Sequence, residues 1–373
     1  MRSASPSRRR RTPSYSNPTE GSAIRVTIAV LNYNYERYLP AAVDSALAQT
    51  HDDVEVVVVD DGSTDGSAEV IAGYGDRIVA VLKDNGGQGS GMNAAFAAGS
   101  GDVFIFLDAD DLLDPQAAAV VAGEFARHPE AAWVMYRLRI VDADGADSGR
   151  VRPRRLGVMP NADLRDHMAR YRCFHWQPTS GNAFSAAALR TVLPMPEPQY
   201  RISADAYLAG VVPLCGAVRS TDVVAGSYRI HGSSNFTSNA VDDGYFRSQI
   251  DKQIVTHEQA LRIAGATGVR LPADVRAPAD AAFLGFRLAS LLLDPARHPY
   301  PDETRLRLVR QGIVAALLNP QLTWSNRVRR AVWFATCGLL PPATARRYVA
   351  TSTPDTPARR ARVATAPRGH CGS

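Results

Sequence analysis

The sequence predicts an α/β fold: a mostly parallel sheet flanked by helices, followed by a helical C-terminal region. Three observations carry this. Apolar runs of five to eight residues alternate with segments of helical periodicity from residue 24 to about 127. Each run ends in a cluster of acids, glycines or asparagines. The run Val103 to Leu107 is apolar without interruption, as a strand covered on both faces requires, because a half-exposed strand alternates with polar positions.

Taken in order, residues 1–22 are rich in Ser, Pro and Arg, bury almost nothing and read as a disordered basic tail. Residues 24–31 form the first predicted strand, ending in Asn32-Tyr33-Asn34-Tyr35. Leu39, Val43, Ala46 and Leu47 stripe the helix that follows. The β-branched run 54–59 favours a second strand, which stops at Asp60-Asp61-Gly62-Ser63-Thr64-Asp65. A short helix over 67–72 leads to a third strand, 77–82, and to Asn85-Gly86-Gly87-Gln88-Gly89-Ser90-Gly91. A helix over about 91–98 returns the chain to the fourth strand, 103–107. Alternation of this kind calls for parallel strands joined by crossovers. Asp114 and Pro115 then read as the N-cap and first residue of a helix reaching Arg127. A strand over 131–141 turns at Asp142-Ala143-Asp144-Gly145, and a helix is predicted near 162–171. From about residue 249 to 347 the chain reads as helices broken by prolines, and the last 25 residues read as a second unstructured tail. The boundaries are a basic tail to 22, a sheet domain over 23–240, a helical region over 241–348 and a tail from 349.

Composition narrows the function. The chain has 373 residues and is 45% hydrophobic, enough for one large core or two smaller ones. No apolar run reaches the roughly 18 to 20 residues that span a bilayer. The arginines at 8–11 precede no apolar segment, so a signal peptide is rejected and a cytoplasmic location is expected. Cys173, Cys215, Cys337 and Cys371 are scattered, which argues against a zinc site or disulfide framework. With +4 in residues 1–23 and +9 in residues 301–373 against +5 overall, residues 24–300 carry −8. A groove for nucleic acid is therefore not expected in the body of the protein, and the basic ends read first as solvated tails.

The chemistry points to the strand ends. Asp108, Asp110 and Asp111 follow a buried strand at the edge where open α/β sheets bind ligands. Asp108 and Asp110 are two apart, on one side of an extended chain. Such oxygens suit Mg²⁺ or Mn²⁺ bridging to substrate phosphates, and burying carboxylates without partners is costly. Asp60, Asp61 and the glycine run from Gly86 to Gly91 share this rim, although each alone is also common turn chemistry.

Together these stretches resemble the family 2 glycosyltransferases, inverting enzymes of the GT-A fold, over roughly residues 24–236. The resemblance rests on Leu31-Asn32-Tyr33-Asn34, on Asp60 to Asp65, on Asn85 to Ser90 and on Asp108-Ala109-Asp110-Asp111, in that order and spacing. It implies that Leu31, Tyr33 and Asp60 or Asp61 hold a nucleotide base, that Asp108 holds ribose or metal, and that Asp110, with Asp111 beside it, holds a Mg²⁺ or Mn²⁺ ion. Gly87 and its neighbours would let the backbone approach the nucleotide. Asp205 matches the family's general base, opening a helix, with Ser203 as a competing cap. Trp176, Ser180, Gly181 and Asn182 resemble the loop facing acceptor or donor sugar. His231, after Tyr228-Arg229-Ile230, resembles a closing loop whose imidazole completes the metal shell or steadies the diphosphate. Three departures stand out: Leu31 replaces a common proline, Met92 a common arginine, and Ala204 the first acid of a Glu-Asp pair.

The expected partners are thus a nucleotide-diphosphate sugar and a hydroxyl acceptor. A sugar nucleotidyltransferase would want a glycine-rich basic loop after the first strand, which Asn32 to Tyr35 do not supply. A non-catalytic sugar-nucleotide or glycan-binding module has no use for both Asp110 and Asp205. In the C-terminal region, Leu306, Val309, Ile313, Ala316 and Leu317 form a helical stripe, and Trp324, Arg327, Arg329, Arg330, Trp333 and Phe334 put basic and aromatic residues together. Packing onto the catalytic domain is the preferred reading, with peripheral contact at the inner face of the membrane as the alternative.

Overall fold

A computed structural model describes residues 24–154, 159–172, 174–232, 243–277, 280–320 and 322–353. The two tails, apart from 349–353, lie outside the described residues, as do Cys173, Cys371 and the boundary near residue 240.

The first half follows the predicted alternation. Strand β1 (Val26–Asn32), helix α1 (Leu39–Leu47), β2 (Val54–Asp60), α2 (Ser67–Ala72), β3 (Val79–Leu82), α3 (Gln88–Ala98) and β4 (Val103–Asp108) come in order. The pairs β1–β2, β1–β4 and β2–β3 are parallel. β4 is buried along its apolar length, with Phe104 and Phe106 on one face of the sheet and Ile105 and Leu107 in the core on the other. This is the two-sided burial that its uninterrupted apolar run requires.

The second half is less regular. A two-residue β5 (Leu112–Leu113) precedes α4 (Ala117–Arg127), β6 (Ala131–Val141), β7 (Asp147–Arg152), α5 (Arg165–Tyr171), β8 (Asn182–Ser185), α6 (Ala186–Val192), α7 (Asp205–Val211) and β9 (Ala217–Arg229). The sheet runs β3-β2-β1-β4-β8-β6-β9-β5, with β7 beside β6. β8 is antiparallel to both β4 and β6, whereas β9 runs parallel to β6 and ends beside Val141. Ser227 of β9 also faces Leu112 of β5, so the end of β9 is brought back to the acids after β4.

Two expectations fail for one reason, a group distant in sequence winning a local contest. Asp114 does not cap α4. It pairs with Arg139 of β6, and Gln49 reaches across instead, its Oε1 accepting from the Ala118 N–H at 2.9 Å. Helix α3 begins at Gln88 rather than 91, because the glycines that read as loop are packed against residues 200–201.

Among the described residues, five α-helices follow: α8 (Asp243–Thr267), α9 (Ala281–Leu293), α10 (Arg305–Leu318), α11 (Trp324–Leu339) and α12 (Pro342–Ser352). α12 runs past the expected boundary at 348. These helices share their own core, including Phe246, Phe283, Leu308, Trp333 and Phe334. No helix among the described residues is long and apolar enough to cross a membrane.

Candidate functional site

The parallel register brings the polar strand ends to one level: Asn32 lies beside Asp60, and Leu31 beside Asp108. Asp60 Oδ1 accepts from Asn32 Nδ2 at 2.7 Å and from Ser63 Oγ at 2.5 Å, and Oδ2 accepts from the Ser63 N–H at 3.0 Å. Asn32 Oδ1 is buried without a donor. Leu31 is half-buried, and Tyr33 beyond it is 45% exposed.

Asp61 is committed to the glycine segment. Its carboxylate accepts from Lys83 Nζ at 2.7 Å, the Gly86 N–H at 2.9 Å and the Gly87 N–H at 2.6 Å. Gly87 has φ of 89°, and a Cβ there would sit 2.4 Å from the Cα of Arg201. Both features call for glycine. The close approach expected for a nucleotide is thus taken, at Gly87, by the chain's own backbone: Gln88 N–H donates to Arg201 O and Gly89 N–H to Tyr200 O, both at 2.9 Å.

The three aspartates after β4 divide their work. Asp111 is buried, its Oδ2 accepting from Ser180 Oγ at 2.6 Å and its Oδ1 from the Arg229 N–H at 2.8 Å. It ties the 180 loop to the end of β9, so the metal role expected for it would have to displace two hydrogen bonds. Burial, then Asp110 and Asp108, hold its carboxyl well above the ordinary carboxylate range. Asp110 Oδ2 lies 2.9 Å from His231 Nε2, and its carbonyl accepts from Arg229 Nε at 2.7 Å. Burial, followed by the charges of Asp110 and Asp205, pushes Asp108 up to about 8. The His231 ring packs between Tyr38 and Tyr35, at centroid distances of 4.9 and 5.6 Å, and the Arg229 guanidinium lies 5.0 Å over Tyr38.

Gln88 joins the two halves of this rim. Its Nε2 donates to Asp108 Oδ1 at 3.3 Å and to Thr179 Oγ1 at 3.1 Å, while its Oε1 accepts from the Ala204 N–H at 2.9 Å. Ala204 immediately precedes Asp205, the first residue of α7. Trp176 Nε1 donates to Asp205 Oδ2 at 3.0 Å. The N-cap position of α7 is Ala204, which has no capping side chain, and Asp205 is the first helical residue instead of the cap.

Asp108, Asp110, Asp205 and His231 therefore converge, with Trp176 alongside, and Asp60 ends the strand on the other side of β1 at the same level. Ser180, Gly181 and Asn182 are buried and build the loop instead of lining a surface. Asn182 Nδ2 donates to the carbonyls of Gln177, Pro178 and Thr179, and its Oδ1 accepts from Trp133 Nε1 at 3.1 Å. Sequence reasoning passed over Gln88, Tyr35 and Tyr38. The available signals were a polar residue opening a helix after two glycines, and two tyrosines three apart between β1 and α1.

Among the described residues, no three His, Cys, Asp or Glu side chains form a ready cation cage. The donor set still fits a hard cation. Mg²⁺ and Mn²⁺ use one or two carboxylates together with substrate phosphates rather than all-protein cages, and Asp108 and Asp110, with His231 beside Asp110, are the residues that could supply that share.

A family model described as "Glycosyl transferase family 2" matches residues 27–184. An uncharacterised glycosyltransferase of Nostoc sp. is 36% identical over 222 residues, 58% of this chain and 68% of that protein. A second, from Rickettsia typhi, is 42% identical over 90 residues, and a chondroitin synthase of Pasteurella multocida 39% over 136. These matches span only 28% and 14% of those relatives. The structure of S. aureus TarS residues 1–349 in complex with UDP-GlcNAc superposes with a TM-score of 0.52 at 14% identity, over 84% of this chain and 91% of that one, which is a likeness of fold. The curled, mostly parallel sheet is of the GT-A type, and the chain belongs to the family 2 glycosyltransferases, enzymes that transfer sugars.

Proposed function

We propose that the chain moves a sugar from a nucleotide-diphosphate donor to a hydroxyl acceptor, with inversion at the anomeric carbon. The observation that carries this reading is the Gln88 bridge, which ties the Asp108 carboxylate to the residue preceding Asp205. A donor-binding group and a candidate base thereby share one rigid rim.

In this reading Asp60, Asn32 and the exposed ring of Tyr33 receive the nucleoside. Asp108, Asp110 and His231 hold a Mg²⁺ or Mn²⁺ ion together with the donor's phosphates, and that ion supplies Lewis-acid stabilisation of the leaving diphosphate. Asp111 acts at one remove, by fixing Arg229 and Ser180. Asp205, held by Trp176, takes the proton of the acceptor hydroxyl as its oxygen bonds to the anomeric carbon. The bond from that carbon to the diphosphate breaks on the opposite face, and the nucleoside diphosphate leaves with the electron pair. The indole face of Trp176 suits a sugar ring.

The test is release of nucleoside diphosphate from a panel of nucleotide sugars with Mn²⁺. Asp205→Asn is expected to keep the ligand-induced rise in melting temperature and to lose about 10²-fold or more in release. Asp110→Asn is expected to lose both metal-dependent binding and release. Wild-type turnover in Asp205→Asn would end the assignment of the base.

A further inference from the structure

We propose that the outer face of the α10–α11 hairpin docks on an anionic bilayer surface without crossing it. Of the fourteen large apolar residues exposed among the described residues, eight lie in these two helices. On α11, Trp324, Val328, Val332 and Leu339 are spaced i, i+4, i+8 and i+15, which at 100° per residue gathers them within about 80° of the helix circumference. Trp324 is 71% and Leu339 86% exposed. The stripe lies opposite Trp333, Phe334 and Cys337, which point into the helical core. Leu306, 70% exposed, Val314 and Leu317 repeat the pattern on α10, opposite Leu308, Gly312 and Ala315. The hairpin is rigidly built: Phe334 packs at Gly312, Val309 at Gly338, and Arg305 binds the carbonyls of Cys337 and Leu340.

Charge decides what covers this face. Residues 304–353 contain eight arginines and no Asp or Glu, and Arg310, Arg329, Arg346 and Arg347 are exposed. A second copy would set like charges against each other. The chain's own terminal segments carry the same sign, with five Arg to one Glu in 1–23 and four Arg to one Asp in 354–373. A nucleic-acid backbone would satisfy the arginines but not an apolar stripe holding a tryptophan. An interface of anionic headgroups over acyl chains satisfies both.

The test is co-sedimentation of the full chain with vesicles of phosphatidylcholine alone and of phosphatidylcholine with 30% phosphatidylglycerol, at low and high salt. Binding to the anionic vesicles, weakened by salt and absent on phosphatidylcholine alone, is expected. Replacing Arg310 and Arg329 together by Gln should lower the partition coefficient by about tenfold or more. Val328→Asp with Val332→Asp should abolish binding while leaving the melting temperature within about 2 °C, since both side chains are exposed. Because binding is read without sugar transfer, its outcome is independent of the donor and base assignments. No binding of the wild type to the anionic vesicles at low salt overturns the proposal. So does undiminished binding of the double Asp variant, tighter binding to a short DNA duplex than to vesicles, or a dimer that the double Asp variant dissolves.

Discussion

Asp61→Ala separates a residue that builds the site from one that touches the ligand. The substitution removes a buried acceptor of three hydrogen bonds, leaving the N–H groups of Gly86 and Gly87 unpaired and the ammonium of Lys83 with only the Asp84 carbonyl. Lys83 is partly exposed and can rehydrate. The two half-buried amides cannot do so fully, at about 1 to 2 kcal/mol each. With the lost charge pairing, the expected destabilisation is about 2 to 4 kcal/mol, or a fall in melting temperature of roughly 5 to 12 °C. Differential scanning fluorimetry measures the fall, and amide exchange at Gly86 and Gly87 reports the local cause, with protection lost there before it is lost in α3. Nucleotide affinity should fall only as far as the loosened loop requires, and lowering the temperature should recover part of it. A variant with wild-type melting temperature and intact protection, but no nucleotide binding, would refute this assignment and return Asp61 to the ligand.

Three further outcomes follow from individual contacts. Gln88→Ala orphans the buried Ala204 N–H and releases Asp205 from Asp108. Turnover should drop by about 10²-fold, with a much smaller change in donor KM, in steady-state assays of nucleoside diphosphate release. Gly312→Ala places a Cβ 2.2 Å from the Phe334 ring, so despite a propensity gain of about 1 kcal/mol it should cost a net 1 to 2 kcal/mol or thereabouts, read from chemical denaturation. His257 Nδ1 accepts from Arg172 Nη2 at 2.9 Å, and its Nε2–H faces the Ala273 carbonyl at 3.1 Å. Burial and then the Arg172 guanidinium hold its pKa below the usual histidine value. Stability from this group is therefore complete above about pH 6.5, the unfolded value. It is lost as pH falls through the depressed folded value. His257→Gln should flatten the fall in melting temperature between pH 7 and 5 relative to wild type.

The sequence alone determined the first four strands, because burial on both faces of a parallel sheet demands apolar runs that nothing else in the chain supplies. It also marked the acidic and glycine-rich segments that share the rim, since parallel strands must all end on one edge. β5, β7, β8 and β9 escaped notice: β9 alternates between buried and exposed stretches, and its partner β6 lies almost ninety residues earlier. Only the tertiary structure decided how the marked residues divide. Asp111, Ser180 and Asn182 looked like ligand contacts, but Asp111 and Ser180 bond each other, with Asp111 also holding Arg229 of β9, and Asn182 bonds the carbonyls of 177–179 and Trp133 of β6. Gly87 looked like a cradle for a nucleotide and instead admits the backbone at Arg201. Gln88 and the two tyrosines around His231 carried only common local signals, because their importance lies in what they bridge. The physical reason is common to all of them. Periodicity and strand ends are local properties of the chain, whereas the assignment of each hydrogen-bonding atom depends on which distant groups compete for it once the sheet has formed.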